Sequence, residues 1–189
     1  MYMAQWKEEV RQLAQEMTGV PQITREEIPD IELYMDQLVT YLDRRLGFFR
    51  QAEDGHFITN AMINNYSKAK LVPPARSKRY SEDHVMALCL ICQLKRVLPV
   101  QDMDKILHST GDKEQLAALY ELFLKAQREA FSQAPRLAEE LIEAASDVPE
   151  GENWGNAAVV IQLAADAQLR LLMAQRLLDS QPRPGEKKK

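Results

Sequence analysis

Glycine is scarce in this chain, with 7 residues in 189, and the 9 prolines cluster at the edges of apolar-periodic stretches. Both features favour a mainly helical fold over one rich in tight turns. Two cysteines cannot build a disulfide framework. No apolar run is read as a membrane span, and Glu8 and Glu9 stand where a signal peptide needs its apolar core. A soluble cytoplasmic chain is therefore expected. The sequence also lacks GxxxxGK[ST], GxGxxG and HExxH, so no motif argues for an enzyme.

What the chain does have is apolar content, at 46%, enough for a real core and too much for general disorder. From Tyr2 to Met17, Trp6, Val10, Leu13, Ala14 and Met17 recur at helical spacing, and Thr18-Gly19 and Pro21 end that helix. Asp30 is the expected N-cap of a second helix running to about Leu46, with Leu38 and Leu42 on its apolar face. Phe48 and Phe49 are expected to tuck under the core. Thr59 caps a short helix, Asn60 to about Lys70, which Pro73-Pro74 must end. Ser81-Glu82-Asp83 starts a fourth helix reaching about Val97, and a short helix follows over about 101–108.

Ser109-Thr110-Gly111-Asp112 is the clearest candidate boundary. Beyond it lie a helix ending before Pro135, another over about 135–146, a polar loop from Pro149 to Gly155, and a last helix from Asn156 to about Asp179. On that helix Val160, Ala164, Ala167, Leu171, Ala174 and Leu178 recur at intervals of 4, 3, 4, 3 and 4, a seam suited to a second helix. The residues thus divide into 1–109 (core about 30–108), a packing and dimerisation region at 110–181, and a disordered tail at 182–189.

Cys89 and Cys92 form a CxxC, but no second ligand pair lies at zinc spacing, and both sit in an apolar helical run. They are expected in the core, with no metal and no cofactor. His56, His84 and His108 are scattered and are expected at surfaces or boundaries. Glu139, Glu140, Glu143 and Asp147 fit a solvated helix face better than a catalytic carboxylate pair.

Charge is distributed unevenly. Lys68, Lys70, Arg76, Lys78 and Arg79 lie close together, and no Asp or Glu occurs between Asp54 and Glu82, although the chain as a whole carries −4. Such an island repels itself unless an anion arrives, and nucleic-acid phosphate is the simplest candidate. The adjoining helix carries Asn60, Asn64 and Asn65, poor helix formers that can pair with base edges.

The segment MINNYSKAKLVPPARSKRYSEDHV resembles the recognition helix, wing and following helix of the mercury-resistance-regulator (MerR) superfamily. Tyr66, Leu71, Pro73, Pro74, Arg76, Arg79, Tyr80, Ser81, Glu82 and Asp83 carry the likeness, and Lys70 stands where a helix-ending Gly is common. Over Leu33 to Leu107 the chain is more similar to an uncharacterised bacterial family, domain of unknown function 1836, through LYMDQLVTYL, TNAMINNY and LVPPARSKRYS.

The resemblance implies a MerR-like winged helix-turn-helix with additional N- and C-terminal helices, acting as a DNA-binding transcriptional regulator. Asn60, Asn64, Asn65 and Lys68 would approach base edges. Lys70, Arg76, Lys78, Arg79 and the Tyr80 hydroxyl would hold phosphates. The expected partners are duplex DNA and a second copy joined through the 156–179 helix, with no membrane and an effector that no motif identifies. The alternative is a protein-interaction module whose basic wing docks an acidic partner.

Overall fold

The computed structural model describes residues 2–50, 55–146 and 154–180. The expected disordered tail at 182–189 and most of the polar loop at 149–155 lie outside them. Eight α-helices and one two-stranded antiparallel sheet occur among the described residues. The chain divides into two compact units, residues 21–124 with 175–189, and residues 1–20 with 125–174.

The 21–124 unit is organised around α4 (Glu82–Leu94). Its residues from His84 to Cys92 are all buried. A helix apolar on every side must be enclosed, and its neighbours supply the enclosure. They include α2 (Met35–Arg45) and α5 (Val100–His108), with Tyr66 of α3 (Asn60–Lys68) reaching Cys92 and Tyr120 from the first part of α6 (Lys113–Ser132) reaching Cys89. Leu38, Leu42 and Leu46 are fully buried on and just after α2, as are Phe57 and Ile58 ahead of α3. Phe48 is 44% exposed, so the aromatic anchor of this connection is Phe57 and not the Phe48-Phe49 pair. The Phe57 backbone N–H donates to Asp43 at 2.8 Å and its carbonyl accepts from Lys95 at 3.2 Å, which fixes the entry to α3.

The second helix starts later than Asp30 would have it. Leu33–Tyr34 forms β1, which pairs antiparallel with β2 (Arg79–Tyr80) in the register Leu33 with Tyr80 and Tyr34 with Arg79. The Gln37 side chain then accepts the Tyr34 backbone N–H at 2.9 Å, satisfying a free donor at the start of α2.

The ends of this unit are tied together. The Tyr120 hydroxyl donates to the Ile23 carbonyl at 2.6 Å, and the Gln22 amide donates to the Leu124 carbonyl at 2.7 Å. Tyr120 is wholly buried, and burial pushes its pKa well above the ordinary value. These bonds carry the compact unit past Ser109–Asp112, the boundary expected from the sequence, to Leu124.

In the other unit, α1 (Tyr2–Thr18) packs along α7 (Ala134–Ala144). Ala14, Ala138, Ile142 and Val159 are buried there, and the two alanines are small enough for close helix approach. Arg11 grips Glu139 with two hydrogen bonds of 2.7 and 3.1 Å, so Glu139 is a helix–helix tie and not merely a solvated acid. At the start of α8 (Trp154–Asp179), a Cβ on Gly155 would come within 2.3 Å of the Trp6 indole. Only glycine permits that approach.

α8 carries an apolar stretch that the sequence reading passed over. By length and composition it is long and apolar enough to cross a membrane, although almost none of its apolar window is buried in the chain.

Candidate nucleic-acid interface

Thr59 begins α3 as expected, its hydroxyl accepting the Met62 backbone N–H at 3.3 Å. Ile63 and Tyr66 turn inward, and burial raises the Tyr66 phenol to about 12. That leaves Asn60, Asn64, Asn65 and Lys68 on the exposed side, together with Lys70 beyond the helix end. Asn60 is engaged already, donating to Asp36 on α2 at 3.2 Å.

The end of α3 is a Schellman arrangement. The Leu71 N–H bonds the Tyr66 carbonyl and the Lys70 N–H bonds the Ser67 carbonyl, each at 3.0 Å. That geometry needs a left-handed residue, and Lys70 supplies it with φ 61°. A lysine there costs roughly 1–2 kcal/mol relative to a right-handed position, a penalty glycine would avoid.

After Pro73-Pro74 the chain folds into a two-residue hairpin turn. Arg76 and Arg79 exchange backbone hydrogen bonds, and Ser77 and Lys78 at the tip have φ 50° and 62°. Two positive φ values in a row mark the turn type that normally takes Asn-Gly. Arg76, Ser77, Lys78 and Arg79 are all exposed.

Folding supplies acids that the local sequence lacks. Glu32 lies 4.0 Å from Arg79, whose guanidinium also sits 5.6 Å from the Tyr34 ring centroid. Among the described residues, Lys68, Lys70, Arg76 and Lys78 have no ion-pair partner. These four, with Asn64 and Asn65, form the open part of the expected site.

Two expectations need correction. The sequence places the Tyr80 hydroxyl at phosphate, but Tyr80 is only 6% exposed and its ring meets His84 edge-to-face at 5.4 Å. It anchors the hairpin to α4. His84, expected at a surface or boundary, is also 6% exposed. Its Nδ1 accepts the Ser81 backbone N–H at 3.0 Å, so it closes the start of α4 in the position usually taken by Glu or Gln. Desolvation lowers its pKa, with the Pro74 and Pro73 carbonyls and nearby carboxylates pulling the other way, and its Nε2 is buried without a hydrogen-bond partner. The Ser-x-x-His spacing is the sequence signal for this role.

Cys89 and Cys92 are fully buried, and burial lifts both thiols to about 12. No group of three His, Cys, Asp or Glu residues that could hold a metal occurs among the described residues.

These features define a mainly helical unit presenting a cationic hairpin beside a short exposed helix. A family model described as Domain of unknown function (DUF1836) matches residues 23–123, more than half of the chain, and the chain belongs to that family. The match runs almost from Ile23 to Leu124, the two residues that the Tyr120 and Gln22 hydrogen bonds bring into one unit. No curated protein and no solved structure matches the chain.

Proposed function

We propose that this chain is a cytoplasmic DNA-binding transcriptional regulator built on a MerR-like winged helix-turn-helix. The observation that carries the proposal is the placement of Lys70 and Lys78 at φ 61° and 62°. Both are left-handed positions where glycine would be more stable, yet both hold a cation. Backbone strain of this kind persists where function needs the side chain. Four cations with no ion-pair partner among the described residues are suited to phosphate, and the exposed Asn64 and Asn65 to base edges.

The order β1, α2, α3, hairpin, β2 supports the winged reading, with the strand ahead of the first helix pairing back onto the wing. A nine-residue α3 is about 13 Å long. A major groove about 12 Å wide admits an α-helix of this kind. Asn60 is tied to Asp36, so base reading falls to Asn64, Asn65 and Lys68.

Such a reader needs a two-fold partner, and α8 is the surface proposed for it. Among the described residues, eight of the sixteen exposed large apolar side chains lie on this helix, from Trp154 to Leu177. A second copy suits it better than a bilayer because Arg170 and Asp166 form a 2.7 Å ion pair mid-helix, which hydrocarbon would penalise.

Selection of bound duplexes from a randomised pool tests the function. A palindromic consensus is expected, with half-sites about one DNA turn apart. Recovery without enrichment would instead favour an interaction module whose basic turn docks an acidic protein.

A further inference from the structure

Behind the hairpin, wholly within the 21–124 unit, lies a cleft of about 620 Å³. That volume is in the range of small-molecule sites. Leu71, Leu107 and Leu116 give it an apolar lining, Lys70 and Arg76 line it on the hairpin side, and His84 contributes to its wall.

The charge balance of the cleft is set by which groups are already satisfied. Three carboxylates line it, and each is engaged. Glu32 meets Arg79 at 4.0 Å, Asp83 meets Lys113 at 3.0 Å, and Asp112 accepts the Gln115 backbone N–H at 2.8 Å to begin α6. Lys70 and Arg76 have no such partner among the described residues. Lys70 and Arg76 thus stand against one carboxylate, Asp112, that no cation pairs, and the charge left in the cleft is positive. The wall also holds an unmet polar group, the Nε2 of the buried His84. Since Nδ1 accepts the Ser81 N–H, the neutral ring carries its proton on Nε2, with the Pro74 and Pro73 carbonyls near the ring but no hydrogen bond of good geometry made by that nitrogen.

We propose that this cleft binds a small amphipathic carboxylic acid, with its apolar body against Leu71, Leu107 and Leu116 and its carboxylate held by Arg76 and Lys70. Because Lys70 and Arg76 belong also to the exposed cationic set, the acid and a DNA phosphate compete for the same two groups. Ligand binding stands independently of the DNA reading. Its consequence, release of DNA when the acid is bound, rests on that reading.

The experiment follows the ring signals of isotopically labelled histidine in the full chain, with His84 assigned by the His84→Gln variant. The probes are phenylacetate and octanoate at up to millimolar concentration, with phenylacetamide and octanamide as uncharged controls. Should His84→Gln not fold, the methyl signals of Leu71 and Leu107 report the same cleft. Saturable shifts at these residues with at least one acid are expected. Affinity should fall about tenfold or more for the amides and for the Lys70→Ala/Arg76→Ala variant. No saturable shift with either acid, or equal binding of acid and amide, overturns the site. A second arm adds the bound acid to a protein–duplex complex. Release supports the competition, and an unchanged complex with the acid demonstrably bound overturns the regulatory link alone. If the chain binds no duplex at all, the ring and methyl signals still decide the site.

Discussion

Arg76 and Arg79 exchange both backbone hydrogen bonds, at 3.2 and 2.9 Å, so two guanidinium groups issue from directly opposed positions of one turn. Among the described residues Arg79 alone of the two is balanced, by Glu32 and the Tyr34 ring. The pair therefore separates into a cation anchored to the sheet and one open to a ligand. Substituting Arg76 is expected to weaken anion binding more than substituting Arg79, while Arg79→Ala loosens the hairpin. Anion affinity and hairpin amide exchange in the two variants measure this.

Strain and charge should separate at Lys70 and Lys78. Lys70→Gly and Lys78→Gly are each expected to raise stability in urea unfolding by roughly 0.5–1 kcal/mol, the left-handed penalty less the chain entropy of glycine. Each should also weaken DNA binding. A variant that loses stability would show that the left-handed backbone is not costly there.

His84 makes stability depend on pH. Its folded pKa lies below the ordinary 6.5, through desolvation first. As pH falls the unfolded chain takes up the proton sooner, so this contribution is complete above about 6.5 and is lost as pH drops through the lower folded value. Protonation also removes the acceptor that Nδ1 offers Ser81. Urea midpoints should therefore decline below that pH, and His84→Gln, which restores a Ser-x-x-Gln cap without a titrating ring, should flatten the decline.

The cysteines should be chemically silent. Both thiols are fully buried and raised to about 12, so native protein is expected to resist a thiol reagent that labels both residues after unfolding. Rapid labelling of the native chain would contradict their place in the core of α4.

Assembly can be tested without disturbing either unit's packing. Ile161 and Leu169 are 71% and 59% exposed on α8, so Ile161→Glu/Leu169→Glu should leave helical content unchanged. Sedimentation should find the natural chain at twice its 21.7 kDa mass and the variant at one chain. A natural chain that sediments singly would remove the dimer.

The long helices are legible in the sequence because α1, α6 and α8 carry their apolar periodicity over many turns. The pairing of Leu33–Tyr34 with Arg79–Tyr80 is not, since two-residue strands have no period to read and their partners are distant in the chain. The same distance hides Glu32 and Asp36, acids that reach an island with no acid of its own. The open cations and the α3 asparagines are visible as local composition. The capping role of His84 is announced by Ser-x-x-His, but its burial is not, because that comes from α4 being enclosed on all sides.

The most direct test of the DNA reading is the salt dependence of duplex affinity, followed by fluorescence anisotropy on a selected duplex. The natural chain should bind less tightly as salt rises, with a steep slope. Lys70→Ala/Arg76→Ala/Lys78→Ala should weaken binding to every sequence and flatten that slope by about one unit for each phosphate interaction removed from a protomer. Asn64→Ala and Asn65→Ala should change sequence preference with little change in slope. Affinity indifferent to salt and to the triple substitution would contradict the account.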